Sequence, residues 1–244
     1  MRNIKLTISY DGTRYKGWQS QRNGSTVQEE IEKAIEKVFG EKHCLYGASR
    51  TDSGVHARGQ IANFKISRDF PVKKIAQALN GVLPQDISIG KAVEVPLSFH
   101  SRFHAKKKIY TYVIFNSRSR DPFGERYMWR VGYPLDVGLM KKEAMVLIGT
   151  HDFKCFQARD KKERTSIRTI TDISVRKTGR RVIVRVQGDG FLYNMVRNIV
   201  GTLVDIGRGY LPQGIMLDIL NSRDRTKAGP TAPARGLFLI KVSY

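Results

Sequence analysis

Apolar and polar residues alternate from the start of the chain. Ile4, Leu6, Ile8 and Tyr10 fall on one side of an extended backbone, which predicts a half-buried strand over 2–10. Asp11-Gly12-Thr13 breaks the alternation. The period then becomes helical: Val27, Ile31, Ala34, Ile35 and Val38 share one face, with Glu and Lys opposite. Ser25 stands three residues before Gln28, a capping-box spacing that predicts where this helix starts, and Gly40 ends it. A strand is predicted over 59–66. Pro71 suits the first turn of a second helix carrying Val72, Ile75, Ala76 and Leu79, closed by Gly81 and Pro84. Another strand follows over 86–95. The first half is thus β-α-β-α-β.

The second half has similar content. A strand over 108–116 places Tyr110, Tyr112 and Ile114 on one face and Ile109, Thr111 and Val113 on the other. A helix carrying Met140, Ala144, Leu147 and Ile148 follows Asp136, and strands follow over 167–176 and 181–187. A helix over 191–206 sets Met195, Val196, Ile199, Val200 and Leu203 against Asn194, Arg197, Asn198, Gly201 and Asp205. Such a polar stripe is ordinarily solvated. Glycine in mid-helix, however, costs about 1 kcal/mol relative to alanine, so Gly201 implies that something packs closely there. A short helix follows Gln213, and a last strand runs over 236–244. No Pro- or Ser-rich linker separates the halves. The predicted fold is α+β: two RRM-like, or ferredoxin-like, halves with mainly antiparallel abutting sheets. The boundary is placed near residue 105, giving domains 1–105 and 106–244.

At 244 residues and 41% hydrophobic the chain can bury a core, which excludes disorder. Lys plus Arg number 43 against 22 Asp plus Glu, a net charge of +21. That excess points to a polyanionic partner, nucleic acid before an anionic membrane. No apolar run approaches the roughly 18 residues of a membrane span, and no signal peptide is expected ahead of the first strand. Cys44 and Cys155, far apart, make neither a disulfide framework nor a Cys-rich metal site, so a reduced, cytoplasmic protein is expected. His100 and His104 lack the glutamate of an H-E-x-x-H pattern, and His56 and His151 have no partners at ligand spacing. No metal is expected. No nicotinamide, flavin or ATP fingerprint is present either.

The segment richest in candidate chemistry is Gly47-Ala48-Ser49-Arg50-Thr51-Asp52-Ser53-Gly54-Val55-His56-Ala57-Arg58-Gly59-Gln60. It sets glycines and small residues around one carboxylate and two arginines, and glycine lets a backbone approach a ligand closely. By residue type it is either a site built on Asp52 or a polar turn capped by Asp52. Arg50 fits a phosphate contact or a salt bridge, Tyr110 a stacking ring or a core tyrosine, Leu237 a pocket wall or a core leucine. Two wider alternatives also stand. One is a non-catalytic binder made of two RRM-like halves, although no RNP-type aromatic motif is evident. The other is a metal-dependent nuclease using Asp11, Asp52 and Asp189.

The fourteen-residue run resembles the catalytic loop of the tRNA pseudouridine synthase A family. Tyr10-Asp11-Gly12-Thr13-Arg14-Tyr15-Lys16-Gly17-Trp18-Gln19 resembles that family's opening motif, and Ser25-Thr26-Val27-Gln28 its first helix start. Lys107-Lys108-Ile109-Tyr110-Thr111-Tyr112 resembles its basic tyrosine strand, with Lys108 and Ile109 departing from the more usual basic pattern. Gly149-Thr150-His151-Asp152-Phe153, Asn194-Met195-Val196-Arg197-Asn198 and Ala232-Pro233-Ala234-Arg235-Gly236-Leu237 follow in family order, so the resemblance covers essentially the whole chain.

The resemblance implies an enzyme that isomerises uridine to pseudouridine at positions 38, 39 and 40 of the tRNA anticodon stem-loop, working as a homodimer with its active cleft between the halves. It implies Asp52 as the catalytic carboxylate, as nucleophile or base. It also implies Arg50 in the space left by an extruded base, Tyr110 stacked on the uracil, and Leu237 as the pocket wall. Arg197 would pair with Asp52 and keep it ionised. An isomerisation of this kind needs no redox cofactor. Arg14, Lys16, Arg58, Lys106, Lys107 and Lys108, in or beside these motifs, are the candidate RNA-binding cations.

Overall fold

The computed structural model describes residues 1–21, 23–159 and 165–244. Strand β1 (Arg2–Tyr10) buries Ile4, Leu6, Ile8 and Tyr10, the alternation read from the sequence. It lies antiparallel between β3 (His56–Ile66) and β4 (Ile87–Val95). The two-residue β2 (Tyr46–Gly47) pairs with β3. The last strand, β10 (Leu237–Ser243), runs parallel to β3, with Phe238 opposite His56 and Leu239 opposite Ala57. Helices α1 (Val27–Phe39) and α2 (Val72–Asn80) bury their apolar stripes, Val27, Ile31, Ala34, Ile35 and Phe39 on the first, Ile75 and Leu79 on the second.

Helix α1 starts one residue later than the Ser25 spacing predicts. Thr26 is the cap and accepts from the Glu29 amide, while the Ser25 hydroxyl donates to Glu30. The reason is tertiary. The amides of Val27 and Gln28 donate to the carbonyls of Gly17 and Trp18, so the preceding loop takes up donors a capping box would leave to local partners.

A second group of elements comprises β5 (Lys107–Asn116), β6 (Trp129–Val131), α3 (Val137–Met145), β7 (Gly149–Asp152), β8 (Ile167–Thr178), β9 (Arg181–Gly188), α4 (Met195–Gly207) and α5 (Ile215–Ser222). The order β5-β9-β8-β7 is antiparallel throughout, and β6 adds to β5 in parallel. The fold is mixed α+β and mostly antiparallel. The chain divides into two compact units, Met1–Lys106 with Phe238–Tyr244, and Lys107–Leu237. The terminal strand thus belongs, from Phe238 on, to the first unit.

Local differences from the sequence pattern have local causes. Helix α3 ends at Met145, and the buried Leu147 lies past it. Helix α4 begins at Met195 rather than 191, because Asn194 adopts a left-handed φ of 59° and sets the helix start. The short β6 and β7 carry too few residues to show a period. Among the described residues no helix is long and apolar enough to cross a membrane.

Candidate active site

In the first unit the two motif loops, 10–19 and 47–60, are built against each other. The Trp18 amide donates to the Thr51 carbonyl at 3.1 Å, and the Gly54 amide and Ser53 hydroxyl both donate to the Tyr15 carbonyl. The hydroxyls of Tyr10 and Thr51 lie 2.7 Å apart in a buried hydrogen bond. The approach is too close for side chains. A Cβ on Gly12 would stand 2.0 Å from the Val55 carbonyl oxygen. Gly17, at φ +97°, would place one 2.7 Å from that of Thr51. Glycine at both positions is what lets the loops touch.

Asp52 opens the turn closed by the Val55 amide on the Asp52 carbonyl at 3.1 Å, with Gly54 at φ +76°. Asp52 is half-buried. Behind the turn His56 is fully buried. Its Nδ1 accepts from the Gly12 amide at 3.0 Å and lies 3.1 Å from Asp11 Oδ1, and its ring stacks on Phe238 at 4.8 Å. Gln60 closes the other side: its Nε2 donates to the Ser49 carbonyl at 2.7 Å and its Oε1 accepts from the Ser49 amide at 3.2 Å. The segment from Ser49 to His56 is therefore pinned at both ends, which restricts the positions open to the side chains it carries. Sequence reasoning missed His56 and Gln60. The Gly12 partner of His56 lies 44 positions away, so no spacing signal exists.

The other candidates of the first unit sit around these loops. Arg50 and Arg58 are exposed, and the Arg58 guanidinium lies over the Phe238 ring at 5.9 Å. Lys16 is exposed on the opening loop. Arg14 grips Asp86 through Nε at 2.8 Å and Nη2 at 2.6 Å, which raises its pKa further above the ordinary guanidinium value. Burial, then the hydrogen bond to Asp86, pushes the Tyr15 phenol up as well. Lys106 is exposed beside the far end of β10, its amide bonded to Ser243.

In the second unit Tyr110 is buried on β5, its ring edge-on to Phe191 at 5.2 Å. Its strand neighbour on the same face has a different task. The Tyr112 hydroxyl donates to the Pro233 carbonyl at 2.7 Å, burial raises its pKa, and Gly236 packs on its ring. Tyr112 thus braces the 233–236 turn that leads to the buried Leu237. Lys107 and Lys108 open β5, with Lys108 opposite Gly188.

Arg197 lies in the first turn of α4. Its Nε donates to the Ala232 carbonyl at 2.7 Å and its Nη1 to Asn194 Oδ1 at 3.0 Å. The polar stripe of α4 is not solvated: every residue of Met195–Gly207 except Arg197 is buried. The segment 228–232 lies on that stripe. Gly201 faces the Pro230 carbonyl, where a Cβ would be 1.7 Å away. The Thr202 hydroxyl accepts from Gly229, and Asn198 Oδ1 accepts from Thr231 at 2.6 Å and Arg225 at 3.1 Å. The packing implied by Gly201 is this returning chain. Among the described residues no group of three or more His, Cys, Asp or Glu is placed to hold a metal ion.

A half-buried aspartate on a pinned turn, with guanidinium groups and a buried tyrosine elsewhere in the chain, is equipped for acid–base or nucleophilic work on a polyanion. Comparison with known proteins gives the class. The sequence profile of a tRNA pseudouridine synthase family matches residues 6–104 and 144–244, a span that includes both motif loops, α4 and β10. The chain belongs to that family. Proteins called tRNA pseudouridine synthase A from Thermoanaerobacter sp. strain X514 and Acetivibrio thermocellus are 50% and 48% identical to it over 244 residues, covering all of each chain. One of that name from Clostridium acetobutylicum is 47% identical over the same length. The chain is an isomerase that converts uridine in tRNA to pseudouridine. The N1–C1′ bond of the nucleoside breaks, a C5–C1′ bond forms, the C5 hydrogen leaves to solvent and N1 takes up a proton.

Proposed function

We propose that the targets are uridines 38, 39 and 40 of the anticodon stem-loop, and that Asp52 is the carboxylate that acts beside C1′. The observation carrying this reading is the interlock of loops 10–19 and 47–60, which fixes the Asp52 turn through backbone bonds and the buried Tyr10–Thr51 hydroxyl pair while leaving Asp52 half-exposed. A turn that needed Asp52 only as a cap has no use for a second loop, glycine-matched to its backbone. In this reading the chain forms two RRM-like halves with the active cleft between them. The first unit brings Asp52 and Arg50 to the uridine, Arg50 taking the place of the extruded base. The second brings Tyr110 to stack on the uracil, Arg197 to pair with Asp52, and Leu237 to wall the pocket. Arg14, Lys16, Arg58, Lys106, Lys107 and Lys108 hold the phosphates. The enzyme works as a homodimer in the cytoplasm.

The test is release of tritium from unmodified tRNA labelled at uracil C5, since joining C5 to C1′ must expel that hydrogen. Release in EDTA and without added cofactor is expected, confined to transcripts that keep a uridine at 38, 39 or 40. Unchanged release after all three are replaced by cytidine overturns the positional assignment. Tight binding without any release favours the RRM-like binder.

Tyr110→Phe keeps the ring against Phe191 and removes the hydroxyl, so tRNA affinity should hold while kcat falls, by roughly 100-fold or more for a hydroxyl that moves a proton. Tyr110→Leu should fall further. Normal turnover with an early melt in Tyr110→Leu makes the residue a core tyrosine only.

Binding should weaken steeply with salt, log K falling linearly in log salt as counterions return to the RNA. Replacing Lys106, Lys107 and Lys108 by Gln should lower the slope by about one unit for each phosphate no longer neutralised. An unchanged slope removes these lysines from the interface.

A further inference from the structure

We propose that Tyr133, Arg208 and Tyr210 of the second unit form a second RNA-binding surface, which takes a nucleobase and adjoining phosphates of tRNA away from the target uridine. The inference rests on the tRNA substrate. The Arg208 guanidinium lies over both rings, 5.5 Å from the Tyr133 centroid and 4.6 Å from that of Tyr210. The rings themselves stay in solvent, at 62% and 71% exposure.

This exposed stack is anchored from several sides. Arg208 Nε donates to Asp205, itself buried, at 2.8 Å. Helix α4 ends in a Schellman turn: Gly209, at φ +74°, donates to Ile206, and the Tyr210 amide to the Asp205 carbonyl. The residue in the place of Tyr210 ordinarily folds back onto the helix, yet here it is turned outward onto Arg208. The other ring is fixed independently. Asn116 Nδ2 donates to the Tyr133 carbonyl at 2.6 Å, and the Asp136 amide ties the same loop to Gly207 at 2.8 Å. Two unrelated segments are thus anchored so that two tyrosines flank one arginine in water. Fixing them has no evident return in core packing, whereas a preformed stacking platform binds at low entropic cost.

The surroundings select the occupant. Asn116 also ties down the loop carrying Arg180, its amide donating to the Arg180 carbonyl, and Arg130 reaches over to the Arg118 carbonyl. Arg118, Arg130 and Arg180 are all exposed at this end of β5. Aromatic faces interleaved with guanidinium groups match bases and phosphates together. A second copy of the chain is a poorer fit, because a two-fold interface would set these arginines against their own copies. Tyr110 lies six residues before Asn116 along β5, about 20 Å away at strand spacing, so the nucleotide bound here is not the one being isomerised.

The experiment measures binding and tritium release with full-length unmodified tRNA at fixed salt. The double variant Tyr133→Ala/Tyr210→Ala should keep its melting temperature, since both rings are exposed. It should raise Kd and KM roughly five- to twenty-fold with kcat within about twofold. Arg208→Lys, which keeps the charge and loses the planar stack, should give much of the same loss. Affinity within twofold of the parent in the double variant overturns the proposal. So does a lost affinity accompanied by a fall in sedimentation mass, which would make the surface an interface between copies. Parent enzyme that binds tRNA but releases no tritium defeats the catalytic reading and leaves this binding test standing.

Discussion

Asp52→Asn is expected to fold, bind tRNA as tightly as the parent or more so, and lose turnover by about a thousandfold or more. Asparagine is nearly isosteric, and bonds that join the two motif loops run through the backbone and through the Thr51 hydroxyl. They use the Thr51 carbonyl, the Gly54 amide and the Thr51 hydroxyl, and the turn itself uses the Asp52 carbonyl and the Val55 amide, all of which survive the change. The amide can neither attack C1′ as a carboxylate nor accept a proton there. Removing a negative charge from a site that meets phosphates favours binding. Lost kcat with retained Kd marks an interaction needed only in the chemical step. Single-turnover pseudouridine formation and tRNA binding, measured on the same preparation, check both halves. Comparable turnover in the variant removes Asp52 from the chemistry. Joint loss of binding and thermal stability makes it a structural cap.

The parts of the fold that were legible in the sequence are those whose burial follows a period. The alternation through Ile4, Leu6, Ile8 and Tyr10 and the helical stripe from Val27 to Ile35 appear as read, because one face of each lies on a core, while at the end of the helix Phe39 is buried and Val38 only half so. What was not legible depends on partners distant in the chain. The start of α1 moved because Gly17 and Trp18 supply acceptors. His56 carried no local signal because its contacts are Asp11, Gly12 and Phe238. The ion pair of Arg14 with Asp86, 72 positions away, likewise left no mark in the sequence. The candidate loop at 47–60 was visible from its glycines and charges, but its fixed geometry was not. Gly12 and Gly17, the residues that admit it, belong to another motif.

Gly201 is where helix propensity and packing predict opposite signs. Helix propensity alone makes Gly201→Ala stabilising by about 1 kcal/mol. The structure makes it destabilising by about 2–3 kcal/mol, the cost of forcing a methyl group into a closed contact. The new Cβ would stand 1.7 Å from the Pro230 carbonyl oxygen and 2.8 Å from its carbon. Helix α4 cannot withdraw, since its opposite face, from Met195 and Ile199 to Leu203, is buried in the core. The 228–232 segment must therefore lift. Its bonds to the helix are Gly229 to Thr202, Thr231 to Asn198, and Ala232 to the Arg197 carbonyl. Lifting it also takes the Ala232 carbonyl away from Arg197 Nε, now 2.7 Å distant. Turnover should accordingly fall together with stability, although residue 201 is expected to touch no substrate. For a chain of this length the melting temperature should drop by roughly 5–10 °C. Thr202→Val, which removes the hydroxyl bridging Asn198 and Gly229 but inserts nothing between helix and segment, should cost less, about 1 kcal/mol. A Gly201→Ala protein that melts higher than the parent with undiminished turnover would show that the segment yields freely, and that its seat on α4 does not hold Arg197 in place.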